Sequence, residues 1–163
     1  MVVNLPIQFK KQMKTFFYFL LFTFSVSTAV AQMPSPVQWT YTAKKIADKT
    51  YEVHLTASIQ TNWHLYSQKQ PEDAINQPTE IIFNKNPLVT LNGAVKEVGK
   101  MKLFKDEKLK ISANQYSEKV DFVQVVKLKA NVKTNVVGSV EYQTCDDKKC
   151  LPPKKIDFAV ALN

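Results

Sequence analysis

In Tyr51-Glu-Val-His-Leu-Thr-Ala-Ser-Ile59 every second residue is apolar: Tyr51, Val53, Leu55, Ala57 and Ile59 alternate with Glu52, His54, Thr56 and Ser58. A strand turns successive side chains to opposite faces, so this run lays one face on a core and the other in water. The same period recurs at Val37, Trp39, Tyr41 and Ala43, at Val136, Val140 and Tyr142, and at Ile156, Phe158, Val160 and Leu162. Val120, Phe122, Val126, Leu128 and Ala130 mark a longer strand. Its opposite face carries Val123 and Val125, so its middle is expected to be buried on both sides. Thr79–Phe83, Val89–Leu91, Ala94–Val98 and Leu109–Ser112 are shorter candidates. Turns are expected at Asn62, Asn84–Pro87, Asn92-Gly93 and Lys133–Asn135. Eight or nine strands with little helical periodicity predict an all-β fold, a β-sandwich.

The chain has 163 residues, of which 45% are hydrophobic and 22% charged. That suits one ordinary domain and excludes disordered and collagen-like classes. Two Cys cannot build a disulfide-dense scaffold or fill a four-Cys zinc site. Lys10, Lys11 and Lys14 precede an apolar run, Phe16–Ala31, that closes on Ala29-Val30-Ala31. This is the pattern of a secretory signal peptide over residues 1–31, cut before Gln32. The run is shorter than the roughly 20 residues a membrane span needs. No Cys follows the cut, so a lipid anchor is not expected. An exported domain, residues 32–163, is expected to remain, with no membrane insertion after cleavage. Of the 22 basic residues all are Lys, and the formal charge of +8 falls to +5 once three of them leave with the leader. The remaining Lys are scattered among acids, which argues against a nucleic-acid partner.

The cysteines stand close together in Tyr142-Gln-Thr-Cys-Asp-Asp-Lys-Lys-Cys-Leu-Pro-Pro153. Export favours a disulfide between Cys145 and Cys150. Closing so short a loop is worth only roughly 2 kcal/mol in chain entropy, little to a well-cored domain. A short ring with charged residues inside it is exposed and strained, hence easier to reduce. Lys148 and Lys149 favour thiolate, and Asp146 and Asp147 oppose it. Pro152 and Pro153 stiffen the exit. The residues themselves therefore leave a redox couple and a structural clip both open. A metal site is disfavoured, because His54 lies on a polar strand face and only His64 remains.

The second unusual stretch is Thr61-Asn-Trp-His-Leu-Tyr-Ser-Gln68. Alternation puts Trp63 and Leu65 on one side and His64 and Tyr66 on the other. The first pair reads as core; the second fits either core or a site. Tyr-Gln-x-Cys-(x4)-Cys-x-Pro-Pro, with Trp-His-Leu-Tyr-Ser upstream, resembles the family of N-terminal periplasmic domains of the thiol:disulfide interchange protein DsbD. The resemblance runs from about Val37 to Ala161.

That resemblance implies an immunoglobulin-like β-sandwich in a Gram-negative periplasm, with a redox-active Cys pair in an end loop. It implies no cofactor, because the electrons travel as sulfur–sulfur bonds. It further implies electron transfer from a thioredoxin-like donor to disulfide-bonded periplasmic acceptors, either disulfide isomerases or cytochrome c maturation proteins. Carried onto this chain, Cys150 matches the Cys that forms mixed disulfides and Cys145 the resolving Cys. His64 and Tyr66 match flanking positions. Phe104, in Met101-Lys-Leu-Phe-Lys-Asp-Glu107, is the nearest match to a cap-loop Phe, although here the acids follow it and Lys surrounds it. With one Cys pair in the chain, the donor is expected to be a separate protein. The rival reading is an exported immunoglobulin-like binding module with a structural disulfide and an aromatic patch. A third is a scaffold subunit that docks a redox partner without turning over.

Overall fold

The computed structural model describes residues 35–163, and the expected signal peptide lies outside them. Nine strands follow in order: β1 (Val37–Ala47), β2 (Thr50–Ile59), β3 (His64–Tyr66), β4 (Glu80–Phe83), β5 (Val89–Asp106), β6 (Ile111–Leu128), β7 (Thr134–Tyr142), β8 (Thr144–Cys145) and β9 (Lys154–Leu162). One sheet runs β1-β2-β6-β3-β8 with β5 also on β6; the other runs β4-β7-β9. All pairings between these strands are antiparallel. The architecture is the all-β, immunoglobulin-like sandwich that the alternation and the motifs imply.

The alternating residues supply the core. Val53, Leu55, Ala57, Val120, Phe122 and Val126 line the inner face of the larger sheet, and Val140, Phe158, Val160 and Leu162 that of the smaller. Trp39 bridges the two, with its ring centroid 5.8 Å from Phe122 and 5.3 Å from Tyr142. Val123 and Val125 are only half-buried, against the expectation of burial on both faces. Their cross-strand neighbours are His54 and Glu52 on one side and Lys96 and Asn92 on the other. That face looks to solvent, and the valines there serve strand propensity rather than a core.

Three short strands expected from the sequence, Val89–Leu91, Ala94–Val98 and Leu109–Ser112, merge with the longer one from Val120 into the hairpin β5–β6, while Thr79–Phe83 becomes β4. The pair Asn92-Gly93 is not a reversal but a bulge inside β5, where the pairing slips between Asn92 and Lys96. Gly93 takes φ +74°, a conformation glycine adopts at no steric cost. The bulge leaves carbonyls without ladder partners. The buried Gln124 amide fills the gap, lying 3.2 Å from the oxygens of both Asn92 and Gly93. A second slip, at Gly99/Met101, puts Ser117, Glu118 and Lys119 into a bulge of β6, with Glu118 at φ +72°. This bulge divides one edge of β6: β2 takes Lys119–Lys127 and β3 takes Gln115–Tyr116.

Gly138 on β7 sits where a side chain has no room. A Cβ there would lie 2.2 Å from the Ile82 carbonyl oxygen and 2.6 Å from the Phe158 ring. Gly138→Ala is therefore expected to lower the unfolding free energy by roughly 2–3 kcal/mol through overpacking, as read from the urea midpoint. An unchanged midpoint would contradict the packing described for β4, β7 and β9.

Candidate functional site

The site is assembled by strand register. β3 lies between β6 and β8, with Leu65 opposite Tyr116 and Tyr66 opposite Gln115 on one edge, and His64 opposite Cys145 on the other. Leu65 turns into the main core, and Trp63 packs against it. His64 and Tyr66 face the other way. On the same face, Phe104 stands opposite Ala113 and Asp106 opposite Ile111. Ala113, Tyr66 and Cys145 form a small buried cluster of their own. Register thus gathers His64, Tyr66, Phe104, Cys145 and Cys150 around one cleft of about 630 Å³.

The cysteines sit on a tight hairpin. The chain leaves β7 in the smaller sheet, and Gln143 carries it to β8 in the larger. Cys145 and Cys150 face each other as an antiparallel bridge. The Leu151 N–H donates to the Thr144 carbonyl and the Asp146 N–H to the Lys149 carbonyl, both at 2.9 Å. The Asp146 carboxylate accepts the Lys148 and Lys149 N–H groups at 2.8 and 2.7 Å, closing the turn as an Asx motif. Those backbone bonds hold the Asp146 carboxyl below the usual carboxylate range. Asp106 closes the tip of the β5–β6 hairpin in the same way, accepting the Lys108 and Leu109 N–H groups at 2.9 Å.

The sulfurs are bonded to each other, with the Cα atoms 4.0 Å apart. Their environments differ. Cys145 is 3% exposed, whereas Cys150 is exposed at the mouth of the cleft. Nearby, the His64 ring lies between the Ser117 hydroxyl at 3.1 Å and the Asp147 carboxylate at 3.4 Å. Burial pushes the Tyr66 phenol up. Phe104 forms one wall and is 44% exposed, so it stands beside the disulfide with its ring partly open to water. Ile75, at 73% exposure, and Leu109, at 67%, add to the apolar rim.

Two residues escaped sequence reasoning. Asn76, in the β3–β4 loop, points its amide nitrogen at both sulfurs, 3.7 Å from Cys145 Sγ and 3.8 Å from Cys150 Sγ. It stands in a polar loop with no period, and only the apolar neighbour Ile75 hints that the segment is used. Glu97, on β5, is the other. Its carboxylate accepts the Tyr116 hydroxyl at 2.6 Å, the Ser67 hydroxyl at 2.7 Å, and the Gln68 backbone and side-chain amides at 2.6 and 3.1 Å. These bonds anchor the segment that follows β3. Burial alone would raise the Glu97 pKa, but the four donors outweigh it and hold the carboxyl below its ordinary 4.5. Burial and the neighbouring carboxylate push the Tyr116 hydroxyl well up.

The chain matches, over residues 29–162, the profile of a family described as thiol:disulfide interchange protein DsbD, N-terminal. No curated protein matches it by sequence. Among solved structures it is similar to the DsbD N-terminal domain of Neisseria meningitidis in the reduced form, at 15% identity and a TM-score of 0.46, covering 84% of this chain and 95% of that one. It is similar to the N-terminal periplasmic domain of ScsB from Proteus mirabilis, at 15% identity and a TM-score of 0.47, covering 81% and 49% of the two chains. It is also similar to a chain in the complex between the DsbD and PilB N-terminal domains of Neisseria meningitidis, at 17% identity and a TM-score of 0.44, covering 80% and 88%.

A carboxylate whose folded pKa is depressed stabilises fully above its ordinary value and loses that contribution as pH falls through the folded value. Glu97→Gln is therefore expected to cost about 1–2 kcal/mol at neutral pH, because charge-assisted bonds become neutral ones. The gap to wild type should close on acidification below about pH 4.5. Denaturant melts at neutral and acid pH measure this. A gap independent of pH would mean that the bonds do not depend on ionised Glu97.

Proposed function

This chain belongs to the family of the N-terminal domain of thiol:disulfide interchange protein DsbD, and we propose that Cys145 and Cys150 are its working dithiol–disulfide couple. Membership and the bonded pair support thiol–disulfide exchange as the general activity. The observation that carries the finer reading is the asymmetry of the two sulfurs: one is at the surface and one is buried behind it. Exchange proceeds by in-line attack of a thiolate on a disulfide sulfur, and access decides which sulfur is attacked. Only Cys150 is open to a protein partner.

In the reduced state Cys150 thiolate attacks the disulfide of an acceptor. A mixed disulfide forms, and the first acceptor thiolate leaves and takes a proton from water. Cys145 thiolate then attacks Cys150 Sγ, closing the intramolecular disulfide and releasing the second acceptor thiolate. Two electrons have passed to the acceptor. A thioredoxin-like dithiol runs the same steps in reverse to restore the pair. His64, Tyr66 and Phe104 wall the couple and limit attack by adventitious thiols. The place for this chemistry is the periplasm, with residues 1–31 as the export signal and residues 32–163 as the mature domain. The acceptors are disulfide-bonded periplasmic proteins, cytochrome c maturation factors among them.

Acid quenching of a Cys145→Ala variant in the presence of a thioredoxin-like dithiol/disulfide protein should trap an adduct through Cys150. Cys150→Ala should trap none. A pair of adducts of equal yield would remove the assignment of Cys150 as the attacking residue. The reduction potential supplies a second readout. A working couple lies above about −300 mV, whereas a value below that would favour the rival reading, a binding module with a structural clip.

A further inference from the structure

We propose that the Asn76 side-chain amide is a catalytic hydrogen-bond donor in this exchange, stabilising the Cys145 thiolate as it departs. The proposal rests on the reading of Cys145 and Cys150 as a working couple. Asn76 Nδ2 straddles the bond, 3.7 Å from one sulfur and 3.8 Å from the other. A disulfide sulfur is neutral and a weak acceptor. A thiolate is charged, and a hydrogen bond to it is shorter and roughly twice as strong. The amide therefore favours the state in which the bond has broken, and differential stabilisation of this kind lowers a barrier.

The charge appears on the buried member of the pair. When a donor thiolate attacks Cys150 Sγ, a new S–S bond forms, the Cys145–Cys150 bond breaks, and the electron pair leaves on Cys145. Cys145 as a residue is 3% exposed. Burial alone disfavours its ionised form and makes it a poor leaving group. Asn76 supplies a hydrogen-bond donor on that buried side.

The loop is built to hold the amide there. On one side the Ser112 hydroxyl donates to Asp73 at 2.6 Å. On the other the Gln77 N–H donates to Gln143 Oε1 at 3.0 Å, and Gln77 Nε2 to Glu141 at 2.8 Å. Gln143 in turn donates from Nε2 to the Leu151 carbonyl at 3.2 Å, so one side chain ties the loop and the Cys hairpin together. The titratable and charged groups facing the pair are His64 and Tyr66 from β3, Asp106 from β5, and Asp146, Asp147, Lys148 and Lys149 from the hairpin. Asp106 and Asp146 are occupied by their own turn amides. Asn76 is uncharged, so its removal shifts the thiol titration along the pH axis without adding a step to it.

The test uses no partner protein. In a Cys150→Ala background, thiolate absorbance against pH gives the Cys145 pKa, and adding Asn76→Ala should raise it by about one unit. With both cysteines present, Asn76→Ala should slow reduction by dithiothreitol about tenfold. Asn76→Asp, which places a like charge there, should move both readouts further in the same direction. Glu72→Gln, in the same loop but outside the cleft, should move neither. Should Asn76→Ala fail to fold, Asn76→Leu, of the same shape, carries the measurement. An unchanged pKa and an unchanged dithiothreitol rate in a folded variant would overturn the role of Asn76. Such a result would leave the exchange reading to stand or fall on the Cys150 adduct.

Discussion

A strand has two hydrogen-bonding edges, and β6 uses both along its length. β5 occupies one edge from end to end, while β2 and β3 share the other, parted by the bulge at Ser117–Lys119. The left-handed Glu118 opens that gap. Because the bulge resets the register, β3 meets β6 with Leu65 turned inward and His64 and Tyr66 turned toward the cysteines. A slip by one residue would exchange these faces and put His64 in the core. The site thus depends first on backbone pairing and only then on side-chain chemistry.

Three regions far apart in the chain meet at the Cys pair: β3 with the loop after it, the β5–β6 tip and the Cys hairpin. Each is held by carboxylates or amides that take up backbone and hydroxyl donors. Asp146 and Asp106 close the two turns, Glu97 anchors Ser67 and Gln68, and Gln143 couples the loop to the hairpin. A platform of this rigidity suits a reaction that needs three sulfurs near one line. Chemical difference within the pair comes from burial, since Cys145 lies beneath Tyr66 and Ala113 while Cys150 stands clear.

Much of this was legible in the sequence. Period-two alternation located β1, β2, β7 and β9 and the residues of their inner faces, because burial on one side leaves that pattern directly. The Cys motif and Trp63–Ser67 marked the site. What alternation could not show was continuity through a bulge. Asn92-Gly93 carries the composition of a turn, and only Gln124, which satisfies the freed carbonyls from the neighbouring strand, turns it into an interruption within β5. Valines at 123 and 125 likewise mimic a doubly buried strand, although their neighbours on both sides are polar. Asn76 and Glu97 were invisible for a different reason: their meaning lies in distances of 19 to 74 residues along the chain, and no local pattern records it.

The long hairpin that brings Phe104 to the cleft also leaves β5, among the described residues, bonded on one side only, to β6. Eighteen residues of open strand edge invite another chain to add itself, and Val98, Met101 and Leu103 on it are exposed. Lys96, Lys100, Lys102 and Lys105 punctuate that edge, and its own bulge at Asn92–Lys96, with the β6 bulge opposite Gly99/Met101, bends it out of the flat geometry an incoming strand requires. The abundance of lysine thereby acquires a colloidal meaning: it lets a domain extend an apolar tip into solvent while discouraging copies of itself from zipping together along the strand behind it.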